Sequence, residues 1–121
     1  MNKVQLQNRT KNFALRVFKM AEKLPKSRGV EVIVYQLIKA STSVAANYRA
    51  VCRAKSKADF INKLKIVEEE SDESLFWLEF IADLKIMNAK LLKDLIKEAN
   101  ELVAIFTAAV KTSKKIVIRK S

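Results

Sequence analysis

Five carboxylates fall within six residues, Glu68-Glu69-Glu70, Asp72 and Glu73. Oxygen ligands at that density could hold a hard divalent cation. A di-iron bundle site would need Glu-x-x-His pairs facing inward, and the chain contains no histidine. What remains is a carboxylate-only Mg²⁺ site or, as such runs usually mean, a solvated face or ion pairing with a basic neighbour. Without histidine, neither a Ser–His nor a Cys–His nucleophile can be assembled. The single Cys52 has no partner for an internal disulfide and no base to activate it, so it reads as a small packed hydrophobe. One glycine excludes a P-loop or a dinucleotide fingerprint. Ser41, Thr42, Ser43 and Asn47 form a polar band whose ordinary role is hydrogen bonding and close helix packing. The chemistry therefore points away from an enzyme. No catalytic, cofactor-binding or metal residues are assigned, and no cofactor or small-molecule substrate is expected.

The elements carrying these residues read as helices. With one proline and one glycine in 121 residues, hairpins have almost no raw material. A first helix is expected over about 8–24, with Phe13, Val17, Ala21 and Leu24 on one stripe. Pro25 and Gly29 mark its end. A second follows over about 30–53, with Ile33, Leu37, Val44, Ala45 and Tyr48 apolar. Ser56, with Asp59 three residues on, resembles a capping box that opens a third helix over 57–85. Asn88 can end that helix or cap the next. The fourth spans about 89–110 with Leu91, Leu95, Ala99, Leu102, Phe106 and Ala109 in register, and is expected to fray into a basic tail, 111–121. Four apolar stripes on four long helices bury themselves most simply in an all-α, antiparallel up-down-up-down bundle, one domain over 1–121. Leu75-Phe76-Trp77-Leu78 sweeps most of a helix circumference. It is either a deeply buried segment or, as Phe76, Trp77 and Phe80 suggest, an oligomer interface.

The charge is lopsided. Residues 1–57 hold thirteen bases and two acids, whereas residues 58–121 hold eleven of each. Antiparallel folding would gather Lys3, Arg9 and Lys11, then Arg49, Arg53, Lys55 and Lys57, and the tail bases Lys111, Lys114, Lys115, Arg119 and Lys120 at one pole. Such a pole attracts nucleic-acid phosphates, with affinity falling as salt rises. The alternatives are an acidic protein partner or plain solubility. No aromatics interleave with the bases, so backbone binding is favoured over base stacking. Arg9, Arg16, Lys19, Lys23 and Lys26 also share about a quadrant of helix one, a stripe suited to an acidic run on another copy. Residues 1–12 lack a signal-peptide core, the apolar runs are too short to span a bilayer, and a lone cysteine fits a reducing cytoplasm.

The string Thr42-Ser43-Val44-Ala45-Ala46-Asn47-Tyr48-Arg49-Ala50, then Arg53 to Phe60, then Lys63 to Glu73 running into Phe76-Trp77-Leu78-Glu79, resembles a bacterial family. That family is the four helix bundle proteins, also called ribosomal RNA intervening-sequence proteins. Arg9–Ala14, Leu24-Pro25-Lys26 and Glu98–Leu102 agree with it, so the resemblance covers about Arg9 to Thr112. It implies a four-helix bundle assembled as a ring-shaped homopentamer. It also implies kinship with the accessory protein of diversity-generating retroelements, whose basic barrel binds nucleic acid and reverse transcriptase. No catalytic residues carry over. Ala45-Ala46 and Met87-Asn88 stand where relatives often have glycine, which bears on packing and loop shape. The expected nucleic-acid contacts are Arg9, Lys11, Arg16, Arg49, Arg53, Lys55, Lys57, Lys111, Lys114 and Lys115.

Overall fold

The structure, a computed structural model, describes the backbone of residues 1–120 and the side chains of residues 1–116. Helix α1 spans Lys3–Ala21, α2 Arg28–Val51, α3 Lys57–Leu84 and α4 Ala89–Lys120. Each begins where a polar side chain satisfies amide groups that a first turn leaves unpaired. Asn2 Oδ1 accepts from the Gln5 N–H at 2.8 Å, and Gln5 Oε1 accepts from the Asn2 N–H at 3.0 Å. That reciprocal box starts α1 well before the expected residue 8, and Asn2-x-x-Gln5 is its sequence signal. Ser27 Oγ caps α2 through the Val30 N–H at 3.2 Å. Ser56 Oγ accepts from the Asp59 N–H at 3.0 Å as expected. The return half of that box is absent, because the Asp59 carboxylate accepts instead from the Lys55 N–H and Lys63 Nζ. Asn88 opens α4, its Oδ1 accepting from the Lys90 N–H at 2.8 Å.

Two ends differ from expectation. Helix α3 stops at Leu84 because Lys85 turns left-handed, φ 56°, a conformation that glycine adopts at less cost. Helix α4 does not fray at 110 but continues to Lys120. Residues 111–120 contain no glycine or proline to break it, and their cations suit a helix C-terminus.

Helix α1 packs on α2, α2 on α3, α3 on α4, and α4 closes back on α1 across a thinner seam, while among the described residues the backbones of the diagonal pairs stand farther apart. This is an antiparallel up-down-up-down four-helix bundle. Phe13, Val17, Met20, Leu37, Val44, Val67, Leu78, Leu102 and Phe106 fill its centre, and the Tyr48 ring tilts onto Phe106 with centroids 5.5 Å apart. Small buried hydroxyls let helices approach. Ser41, Ser71 and Ser74 are fully buried and donate to the Ile38, Val67 and Glu70 carbonyls on their own helices. The α4 stripe is shifted by one residue at its start, with Leu92 buried and Leu91 exposed. Because Ser56 is exposed and its hydroxyl caps α3, Ser56→Ala should cost about 1 kcal/mol and lower the melting temperature by about 3–5 °C in a calorimetric scan.

Candidate nucleic-acid interface

Lys3, Tyr48, Phe60 and Thr112 line one cavity of about 380 Å³. The start of α1, the end of α2, the start of α3 and the last turns of α4 therefore meet at one end of the bundle. Lys57 and Ile116 share an adjoining hollow. Between α1 and α2 runs a trough of about 660 Å³ with small residues Ala14, Ala45 and Ala46 in its walls, and Lys11, Arg49 and Arg53 also line it. All three cations are exposed. Their side chains converge because positions 7, 11 and 18 of α1 and 42, 46 and 49 of α2 fall on facing stripes, and the turn that follows α2 adds Arg53. Lys55 lies in the α2–α3 turn, and Lys111, Lys114 and Lys115 are exposed on the last turns of α4. The side chains of Arg119 and Lys120 lie outside the described residues.

Arg9 sits elsewhere. Its Nε donates to Glu98 Oε2 at 2.8 Å and its Nη2 to Glu98 Oε1 at 2.7 Å. Nη2 also reaches Glu101 Oε1 at 3.0 Å. The Arg9 and Glu98 side chains are only 23% and 16% exposed, so this fork is shielded in the α1–α4 seam. Hydrogen bonding to Glu98 holds the guanidinium proton still more tightly than usual. The site residue expected to meet phosphate is thus engaged by carboxylates of its own chain. Arg16 lines the groove beside it with Glu98, on a different side of α1 from Lys11. The candidate set accordingly divides into the Lys11–Arg49–Arg53 trough, the bases at the pole, an outlying Arg16 and an internally paired Arg9. One acid intrudes at the pole: the Lys63 ammonium and the Lys55 amide hold the Asp59 carboxyl below the usual carboxylate range.

The trough is also lined by Gln7, Asn8 and Thr42. These neutral donors had no charge signal in the sequence, though their helical spacing with Lys11 and Arg49 could have found them. Cys52 is half-buried against the core. Burial, reinforced by that neighbouring thiol, pushes the Tyr48 hydroxyl up to about 12. Glu70 is pushed upward by burial and by Glu73. Among the described residues, no three histidine, cysteine or carboxylate side chains are grouped to hold a metal ion, and no helix is long and apolar enough to cross a membrane.

This four-helix chain carries the sequence pattern of the 23S rRNA-intervening sequence proteins across residues 2–108. It belongs to that family. A solved structure from Bacteroides thetaiotaomicron VPI-5482, described as a protein with unknown function from the S23 ribosomal protein family, superposes with a TM-score of 0.82. The two sequences are 26% identical, and the match covers 92% of this chain and 99% of that one. No curated protein matches the chain. Family membership accounts for the helical architecture and assigns no activity.

If the Arg9 fork closes the α1–α4 seam, Arg9→Ala should cost about 1–3 kcal/mol in denaturant unfolding. Arg9→Lys, which cannot form a fork, should recover less than half of that. The Tyr48 hydroxyl has its folded value raised above its unfolded value of about 10. Its contribution to stability is complete below about pH 10 and is lost as pH rises toward 12. Unfolding measured from pH 9 to 12 should fall less steeply in Tyr48→Phe than in the parent chain.

Proposed function

We propose that this protein is a non-enzymatic bundle that assembles with copies of itself, five in a ring as the family resemblance implies, and binds the backbone of RNA or DNA through its basic end. The observation carrying this reading is the Lys11–Arg49–Arg53 trough opening toward the pole that also bears Lys55, Lys57, Lys111, Lys114 and Lys115. Exposed cations suit phosphate oxygens, which every sequence offers. A ring of parallel copies would repeat the trough around one rim, and repeated weak contacts on one polymer add strongly. The other reading, an oligomer whose charge serves only self-assembly or an acidic protein partner, gives no nucleic-acid binding in the same assay.

The test is a gel-shift titration against duplex and single-stranded RNA and DNA at several salt concentrations. Binding should weaken steeply with salt. Arg49→Ala with Arg53→Ala should reduce affinity at least tenfold, uniformly across sequences, and flatten the logarithmic salt slope by about 2. No binding at about 50 mM salt would end the nucleic-acid reading and leave the structural oligomer.

A further inference from the structure

The trough between α1 and α2 has two unlike halves. Lys11, Arg49 and Arg53 line one part, and Leu15 and Phe18 line another, over a floor of small side chains. Lys3 and Val51 line a common cavity and so mark one level at the pole. Counting 1.5 Å per residue from there, Arg49 stands about 3 Å along the bundle, Lys11 about 12 Å and Phe18 about 22 Å. Side chains lean toward the N-terminus of their own helix. In this antiparallel pair Lys11 and Phe18 therefore lean toward the pole, and Arg49 leans away from it, toward Lys11. Among the described residues, no carboxylate pairs with Lys11, Arg49 or Arg53. Phe18 and Leu15 are each 48% exposed, and no other described ring stacks on Phe18. The acids of this half, Glu22 and Glu31, stand farther from the pole than Phe18 does. Phosphates are thus favoured only on the pole side of that ring.

The cations account for phosphate and leave the apolar end without a role. The flat apolar part of a nucleic acid is the face of a base. In a duplex both faces are covered by neighbouring pairs, whereas a single strand can offer one to an aromatic side chain. The trough encloses about 660 Å³, within the usual range of about 300–1,000 Å³ for a small-ligand site. An acidic amphipathic helix would match the same charges. However, Lys55, Lys111, Lys114 and Lys115 are exposed at the pole and extend the positive charge beyond the trough, which suits a polymer charged at every unit. We infer that the trough holds a segment of single-stranded nucleic acid, with phosphates on Arg53, Arg49 and Lys11 and an unstacked base seated on Phe18 beside Leu15. This rests on the nucleic-acid binding of the proposed function and adds the state of the strand and the residue that reads it. The sequence hid an aromatic among the bases because Phe18 follows Lys11 by two helical turns, and Arg49 and Arg53 come from beyond the next loop.

Fluorescence anisotropy tests it with labelled oligothymidylate, an abasic strand of equal length and phosphate number, and a duplex. At low salt the parent chain should hold oligothymidylate about fivefold or more tighter than the abasic strand. Phe18→Ala should remove that preference and leave binding of the abasic strand and the duplex unchanged. Phe18→Trp should keep it. Arg49→Ala with Arg53→Ala should weaken both single strands alike and preserve their ratio. Phe18 is half exposed, so alanine should leave the circular dichroism spectrum unchanged; should it disturb α1, the parent chain's ratio of the two strands and Phe18→Trp still decide. Equal binding of the two strands, or a loss in Phe18→Ala that the abasic strand and the duplex share, would overturn the seat on Phe18 and leave the proposed function standing. Binding of none of the three would overturn both. A glutamate–leucine helical peptide that binds in a Phe18-dependent way when the oligomers do not would also overturn both and assign the trough to an acidic protein segment.

Discussion

The fork between Arg9 and Glu98 joins residues 89 positions apart in sequence and sits in the seam where neighbouring helices approach least closely. Apolar stripes bring α1 and α4 together but tolerate sliding, since one leucine replaces another at similar cost. A two-pronged hydrogen bond between planar groups does not. It fixes which turn of α1 stands beside which turn of α4, and hence where Lys3 lies relative to Thr112. The gathering of charge at one end depends on that register. Lysine at position 9 would leave a point charge able to follow the carboxylate through several turns.

Topology, more than composition, makes the charge distribution meaningful. A strongly basic first half and a neutral second half say little about shape. Folding sets the end of α2 beside the start of α1, and brings the last turns of α4 to the same end. The second half then divides in space: carboxylates on the outer side of α3, cations on the last turns of α4. A neutral sum conceals a strong dipole across the molecule.

Much of this was legible in the sequence. Helical periodicity, Pro25 and Ser56 placed the four helices and their order, and the scarcity of breakers forced the bundle. The start of α1 was missed because Asn2 and Gln5 precede the first apolar stripe, so capping outran hydrophobicity as the signal. The length of α4 was underestimated because polarity in 111–120 reads as a tail, whereas an existing helix propagates through lysines at little cost. Arg9 shows the limit for the candidate site. Its charge and its place at the start of a basic stripe are visible in the sequence. Its partners belong to a helix that only tertiary packing brings near. The buried hydroxyls were half legible: the polar band holding Ser41 on α2 was plain, but Ser71 and Ser74 on α3 were hidden by the carboxylates around them.

Glycine and the left-handed turn have parted company in this chain. Gly29 lies inside the first turn of α2 with right-handed backbone, and a Cβ there would meet nothing within 4 Å. The residue that does turn left-handed is Lys85. Each is the less favourable choice for its place by a fraction of a kilocalorie up to about 1 kcal/mol. A fold held only as stable as selection requires drifts freely at such positions. The bundle thus has room to gain stability at both positions, because Gly29 and Lys85 are exposed and line neither the core nor the trough.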